Sequence, residues 1–410
     1  MPKVSRKKLI AAGVIGNVVE YYDFALIGFL ALIIGRLFFP TQDPFLSLLG
    51  SFGAFAAGMI MRPLGAIIFG HIADRIGRRF AMLSSLALMA IPTFLIGFLP
   101  TYEQVGLIAP VALVLLRMLQ GLSVGGEYAS SIVYLVEQSS QNRQNLYGSF
   151  VSIGAKIGMA LGSGVCAGLL WYLGDEQMSE WGWRIPFYFS LVIALAGFYL
   201  RKNLSENYEA PKERKVPIVE IFKNHKKEFF NFLLIASSIW IFYYTIFIYL
   251  PIWLESFAGL SKTQSSTINT ITITVGAIFI PIMAILADKI GSIKTMKIAA
   301  LLSMICVYPL MYFMGNGGFY MAMGGSVILV ILLCMYQAPI FASTVFALKE
   351  HSYRGSFTAL ILGSAAGIVG GLTPAMMSSI QKITSLPLSV AVVITFSSFV
   401  GWLTLKKVKV

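Results

Sequence analysis

Twelve apolar segments follow one another along the 410 residues, and most are long enough to cross a lipid bilayer as a helix. They run over about 9–37, 46–70, 80–100, 106–136, 145–173, 184–201, 229–254, 263–287, 296–314, 320–348, 356–380 and 387–405. Lipid offers no hydrogen-bond partners to the backbone, so segments of this kind must fold as helices that satisfy their own N–H and C=O groups. Composition agrees: 57% of residues are hydrophobic and only 12% charged, where a soluble domain carries about a quarter charged. The expected fold class is an all-α membrane protein with 12 transmembrane helices, its main surroundings the lipid bilayer.

The net charge of +13 invites a nucleic-acid reading, so its distribution matters. Arg36, Arg62, Arg117 and Lys156 lie within spans, and Arg184, Lys262 and Lys382 lie in one set of loops. The other Lys and Arg fall in the opposite loops and at the two termini. That asymmetry is the positive-inside signature of a multi-pass protein with both termini cytoplasmic. It accounts for the basic balance without any nucleic-acid partner. Cys166, Cys306 and Cys334 sit in apolar spans, so no disulfide framework is expected. His71, His225 and His351 are far apart and form no metal pattern, so no metal site is expected. The first span is too long for a signal peptide and carries two acids at its centre.

Most connections are short. The exception is 202–228, which is charged, contains Pro211 and Pro217, and divides the spans six and six. It reads as a cytoplasmic linker with a short amphipathic piece near Ile218–Phe222, between an N-terminal bundle (1–201) and a C-terminal bundle (229–410). An internal repeat supports the division. Ala73-Asp74-Arg75-Ile76-Gly77 recurs as Ala287-Asp288-Lys289-Ile290-Gly291, Glu137 and Arg143 recur as Glu350 and Arg354, and Gly154, Gly158 and Gly162 recur as Gly363, Gly367 and Gly371. Four matches in order at nearly one offset indicate two homologous six-helix halves. The glycine triplets read as packing surfaces.

Charged groups at membrane depth are expensive and mark functional sites. Glu20 and Asp23 lie near the midpoint of the first span, three residues apart on one helical face. In the fourth span Arg117, Gln120 and Glu127 share a face, and Gly121 and Gly125 form a G-x-x-x-G surface for close packing. With the first span entering from the cytoplasm and the fourth from outside, Asp23 and Arg117 reach similar depth. They form a plausible ion pair. Lys156 lies near the midplane of the fifth span, where it either pairs with Glu20 or Glu127 or anchors a substrate carboxylate. Arg62, at the inner end of the second span, reads as part of a gate. The C-terminal half offers Trp240, Tyr243, Tyr244, Asn269, Thr270, Tyr336 and Gln337 as polar candidates, with an aromatic packing face an equal reading for the first three.

Gly70-His71-Ile72-Ala73-Asp74-Arg75-Ile76-Gly77-Arg78-Arg79 resembles the signature loop of the major facilitator superfamily, G-x-x-x-D-R-x-G-R-[RK]. Physically it is a tight turn with an acid and basic residues beside it, suited to a cytoplasmic gate. The expected gate comprises Gly70, Asp74, Arg75, Gly77, Arg78, Arg79 and Asp288 with Glu137, Arg143, Glu350 and Arg354. Gly-Asn-x-x-Glu-x-Tyr-Asp-Phe (16–24), Arg62-Pro63-Leu64-Gly65, Arg-x-x-Gln-Gly-x-x-x-Gly-Gly-Glu (117–127) and Trp183-Arg184-Ile185-Pro186-Phe187 narrow the resemblance to the metabolite:proton symporter family. That family includes transporters of proline/betaine, 2-oxoglutarate, citrate and shikimate.

The resemblance implies a major facilitator fold of two pseudo-symmetric six-helix bundles. It implies a proton site at Asp23, opposite Arg117 and tuned by Glu20. The chain ends at Lys406-Lys407-Val408-Lys409-Val410, without the long C-terminal coiled coil of osmosensing members. The implied function is proton-coupled uptake of a small carboxylate-bearing metabolite. Its expected site gathers Lys156, Gln120, Glu127, Tyr22, Trp240, Tyr243, Tyr244, Asn269, Tyr336 and Gln337. The protein is expected to act as a monomer in a bacterial inner membrane, with the proton as coupling ion and no other cofactor. Uptake of a zwitterionic osmolyte is the alternative, as is proton-driven export of a drug or metallophore. No G-x-x-x-x-G-K-[ST] loop suggests an ATP-driven pump, and no nucleophile–base pair suggests an enzyme.

Overall fold

The computed structural model describes residues 6–75, 78–137, 139–202, 217–348 and 354–408. Within these ranges the side chains of 6–13, 24, 25, 70, 71, 73–75, 78, 79, 81, 82, 126, 127, 130, 134, 200–202, 217 and 218 lie outside the described set. No strand occurs among the described residues. Each of the twelve apolar segments becomes a helix. In chain order they are α1 (Arg6–Phe29, continued by Ala31–Phe38), α2 (Pro44–Ile60 with Arg62–Arg75), α3 (Arg78–Ile96), α4 (Ile108–Glu137), α5 (Gln144–Glu180) and α6 (Ile185–Lys202). Then follow α7 (Lys226–Tyr244, Thr245–Tyr249 and Leu250–Phe257), α8 (Lys262–Ile290), α9 (Ser292–Asn316), α10 (Gly318–Gln337 with Ile340–Val345), α11 (Arg354–Ser364, Ala365–Gly370 and Gly371–Thr384) and α12 (Ser389–Leu405). A short helix over Pro217–Asn224 precedes α7. The residues expected to link the halves, 203–216, lie outside the described residues.

The chain clusters into two compact units, Met1–Ser131 with Gly154–Arg214, and Ile132–Ile153 with Lys215–Val410. The end of α4 and the start of α5 thus pack with the second unit. Three contacts within that unit hold them: an ion pair from Glu137 to Arg354, hydrogen bonds from 145–146 to Asp288, and Gly148 against Phe341.

Helices are not straight where backbone bonding is interrupted. α1 bends by 64° around residue 30. The turns Thr245–Tyr249 in α7 and Ala365–Gly370 in α11 widen to π-helix. Each contains the residue four before a proline, Phe247 before Pro251 and Gly370 before Pro374. A proline lacks the N–H that this carbonyl would accept, and its ring crowds it, so the turn opens.

Inside lipid there is no hydrophobic drive between helices, and close packing takes its place. The first unit uses glycine for this. A Cβ at Gly121 would collide with the Gly58 carbonyl, one at Gly125 with the Arg62 carbonyl, and one at Gly65 with the Leu122 carbonyl, which fixes α2 against α4. Gly154 and Gly158 meet the carbonyls of Val14 and Val18 in the same way, fixing α5 against α1. In the second unit the expected equivalence fails at Gly363, which faces open space. Gly370 takes the role there, because the Tyr244 ring occupies the volume a Cβ would need.

Candidate functional site

The centre of the first unit is set by register. On α1, Val19 packs in a buried cluster with Leu86 and Ala90 of α3 and Ala194 of α6. One helical turn beyond Val19 stands Asp23, and one turn beyond Ala90 stands Thr93, so the same two faces bring Asp23 to Thr93. Asp23, Thr93 and Arg117 are fully buried, and Gln120 is 1% exposed. The Thr93 hydroxyl lies within hydrogen-bonding reach of Asp23, and the charge of Arg117 acts on the same carboxyl. Arg117 Nη1 donates to Gln120 Oε1 at 2.6 Å, Gln120 Nε2 donates to Thr93 Oγ1, and Thr93 Oγ1 donates to the Met89 carbonyl at 2.9 Å. Asp23 and Arg117 therefore belong to one polar cluster in which Gln120 and Thr93 stand between them.

A second buried group lies one turn back along α1. The Arg62 guanidinium is 5.9 Å from the centre of the Tyr21 ring, and Tyr128 of α4 lies 5.8 Å from the same ring. Glu20 is 4% exposed and close enough for its charge to act on Tyr21. Arg62 is itself 3% exposed, so it sits inside the first unit beside Tyr21. A cation held over an aromatic face away from water is worth about 0.5–2 kcal/mol. Lys156 is fully buried in α5. The Glu127 side chain lies outside the described residues.

Tyr22 is placed differently from a ligand-facing group. Its hydroxyl donates to the Pro186 carbonyl at 3.0 Å, and its ring meets Phe189 edge-on. The neighbouring Trp183-Arg184-Ile185-Pro186-Phe187 motif is a structural knot. Trp183 is buried between Phe38 and Phe187, while Arg184 lies 4.3 Å over the Trp183 ring and donates to the Leu99 carbonyl at 3.0 Å.

In the second unit Trp240, Tyr243 and Tyr244 are buried on α7 and touch one another, with Phe247 against Tyr243. The Tyr336 hydroxyl is 3.0 Å from Ser238 Oγ, joining α10 to α7. Asn269 shares a crevice with Ser265 and Thr272 of α8 against Ile246, Leu250 and Leu254 of α7. Gln337 and Asn269 are buried.

Of the expected gate, the side chains of Gly70, Asp74, Arg75, Gly77, Arg78 and Arg79 lie outside the described residues, as does Glu350. The second copy is described. Asp288 Oδ1 accepts from the Asn145 backbone N–H and Nδ2 at 2.9 Å each, and Asp288 Oδ2 accepts from the Leu146 N–H at 3.1 Å. The carboxylate thereby caps the N-terminus of α5, where the helix dipole favours an anion by up to about 2 kcal/mol. Arg354 Nη1 lies 3.6 Å from Glu137 Oε1, and Arg354 Nε donates to the Leu348 carbonyl at 3.1 Å. Glu137 pairs with the arginine of the other repeat, while Arg143 is exposed.

Sequence reasoning missed Thr93, Tyr21 and Tyr128. Each is a polar residue in an apolar run with no charge to draw attention, and only the α1–α3 and α1–α4 registers give it a role. Pro92 beside Thr93 was the one available signal.

Residues 14–374 match the family model of the Major Facilitator Superfamily. The chain is 33% identical over 416 residues to a putative proline/betaine transporter of Staphylococcus aureus (strain COL), covering 98% of this chain and 88% of that one. It is 29% identical to the proline/betaine transporter of Salmonella typhimurium, over 90% of this chain and 77% of that one. It is 30% identical to the glycine betaine/proline/ectoine/pipecolic acid transporter OusA of Dickeya dadantii, over 90% and 76%. Its fold is similar to that of the E. coli xylose transporter XylE in a partially occluded inward-open conformation, at a TM-score of 0.76, 15% identity and coverage of 98% and 97%. Among the described residues nine helices, or ten counting the bent first one, are long and apolar enough to cross a membrane, and with the family match over residues 14–374 and this fold they agree: the chain belongs to the major facilitator superfamily, as a multi-span membrane transporter rather than an enzyme.

Proposed function

We propose that the protein takes up a zwitterionic osmolyte, a compound of the proline or betaine type, by proton symport and alternating access. One observation carries the substrate class: the similarity to proline/betaine transporters runs over 98% of the chain. It favours the osmolyte over the carboxylate metabolite that the buried lysine suggested. The chemistry of each unit is compatible. The first unit holds Lys156 and Arg117, cations suited to a carboxylate. The second holds the Trp240, Tyr243 and Tyr244 cluster, whose ring faces suit a quaternary or secondary ammonium. Asp23 is the proton site, and its protonation changes what Arg117 is balanced against. Occupancy and protonation then become linked, which symport requires. The transporter works as a monomer in a bacterial inner membrane with both termini cytoplasmic, the proton its coupling ion.

The test is uptake into reconstituted vesicles under an inward proton gradient, with radiolabelled L-proline, glycine betaine, ectoine, 2-oxoglutarate, citrate and shikimate. The zwitterions are expected to accumulate and a protonophore to collapse the accumulation. Accumulation of only the anions would return the carboxylate reading, and efflux in place of uptake would make the protein an exporter. In the same assay Lys156→Gln separates the roles of the buried lysine. As a carboxylate anchor, its loss raises the apparent KM for betaine and proline about 10-fold or more, in line with a charged hydrogen bond of about 1.5–3 kcal/mol. An unchanged KM assigns Lys156 to a structural pairing within the first unit.

A further inference from the structure

The hydrogen-bond polarity of the buried cluster can be counted atom by atom. A guanidinium only donates, so Gln120 must present Oε1 to Arg117 and is left with Nε2 facing Thr93. Thr93 Oγ1 therefore accepts from Gln120. Its single hydrogen goes to the Met89 carbonyl one turn back on α3. One lone pair on Oγ1 remains, on the atom within reach of Asp23. Neither oxygen of Asp23 receives a hydrogen bond from a described residue.

We infer that Thr93 is the positioning residue that reads the protonation state of Asp23. Its one hydrogen is shared between two competing acceptors, the Asp23 carboxylate and the Met89 carbonyl. When Asp23 carries a proton taken from water, its own O–H donates to the remaining lone pair of Thr93, and the Thr93 hydrogen stays on Met89. When Asp23 returns that proton and is ionised, it has nothing to donate, and the Thr93 hydroxyl turns to donate to the carboxylate. No bond other than the Asp23 O–H is made or broken.

The turn is felt on α3. Pro92, next in sequence, already deprives the Leu88 carbonyl of its helical partner, and the Thr93 bond back to the Met89 carbonyl, of a kind that bends helices, falls at the same turn, so losing or regaining it acts where α3 yields most readily. Gln120 keeps its bond to Thr93 in both states, so Arg117 stays tied to the same hydroxyl. The titratable groups acting on Asp23 among the described residues are Arg117 from α4 and its own neighbour Tyr22, whose hydroxyl is held by Pro186. Thr93 is thus the uncharged group able to answer a proton without a second titration.

This inference rests on Asp23 as the proton site. Its test uses the full chain in vesicles with glycine betaine and L-proline as probes. Thr93→Val keeps the volume and removes the hydroxyl, and Thr93→Ser keeps the hydroxyl. Proton-driven uptake by Thr93→Val is expected to fall about 10-fold, with its pH profile displaced, within the 5–150-fold range of a coupling free energy. Thermal unfolding of the variant in detergent close to that of wild type reports that it folds, and Thr93→Ser restores the wild-type uptake and pH profile. Wild-type driven uptake and pH profile in Thr93→Val overturn the proposal.

A second readout does not depend on transport. Infrared difference spectra between high and low pH contain a carboxylic-acid C=O band that Asp23→Asn removes. Thr93→Val is expected to shift that band and Thr93→Ser to leave it near its wild-type position. An unshifted band in Thr93→Val overturns the role of Thr93, and the absence of any band that Asp23→Asn removes overturns it as well. If the wild type shows the band and Thr93→Val shifts it, but the wild type gives no proton-driven uptake of any probe, the symport reading fails while the Thr93 assignment stands.

Discussion

Asp23→Asn is expected to abolish proton-driven accumulation of substrate. A one-to-one symporter gains about 1.4 kcal/mol from each unit of imposed pH gradient, a tenfold accumulation. Asn has nearly the shape of a protonated Asp and cannot titrate, so the accumulation ratio should fall to one at every gradient. Counterflow exchange needs only the protonated form to bind and reorient, so it should persist. The measurement is radiolabelled betaine uptake in vesicles under stepped pH gradients, paired with counterflow in the same preparation. Retained accumulation that scales with the gradient moves the proton site elsewhere, with Glu20 the next candidate. Glu20 is buried one turn away and, like Arg62, acts on Tyr21. Loss of counterflow together with accumulation makes Asp23 a packing residue.

Gly121→Val is expected to destabilise the fold more than any exposed substitution. The Cβ at this position falls on the Gly58 carbonyl, and backbone cannot rotate aside as a side chain can. α2 and α4 would have to separate, and overpacking of this kind costs about 1–3 kcal/mol, occasionally more. α4 carries Arg117 and Gln120, so the same displacement pulls the buried cluster apart. Yield of folded protein in detergent and the apparent Tm should both drop. Gly53→Ala and Gly164→Ala, where an added Cβ meets nothing within 4 Å, should leave both near wild type and serve as controls. A Gly121→Val protein as stable as these controls would mean that α2 and α4 do not approach through this glycine.

Some of the site was readable because its residues are costly. Asp23, Glu20, Arg117 and Lys156 stand out in apolar segments since an ion at membrane depth persists only where a role keeps it there. Their burial follows from the same fact. The glycines of α4 and α5 were readable through spacing, because every fourth residue returns to one helical face, whereas Gly58 and Gly65 of α2 were recognised only from the contacts they make. Gly363 shows the limit of that reading. It continues the repeat in sequence, yet a Cβ added there meets nothing within 4 Å, while at Gly370, in the π-turn over Ala365–Gly370, the Tyr244 ring fills that space. A widened turn changes which residues share a face, and no spacing rule foresees it without Pro374 being read as its cause.

The partners were not readable. Asp23 and Arg117 at equal depth suggested a direct pair, and the structure places Gln120 and Thr93 in the cluster between them. Depth fixes one coordinate, but rotation and register of neighbouring helices fix the other two. The repeat aligned Glu137 with Glu350 and Arg143 with Arg354, whereas the structure joins Glu137 to Arg354 across the two copies. A repeat states which positions are equivalent and says nothing about which of them touch.

The sequence by itself determined that the chain crosses a membrane, through twelve apolar segments, and which few polar groups lie in its interior. Those follow from solvation: lipid forces backbone into helices and excludes charge without a role, residue by residue, whatever the neighbours. Only the tertiary structure decided that Thr93 meets Asp23, that Asp288 caps α5 and that Tyr22 is tied to Pro186. Hydrogen bonds act over about 3 Å with strict direction. They depend on the rotation of each helix, which is set by glycine contacts and prolines spread over the whole chain.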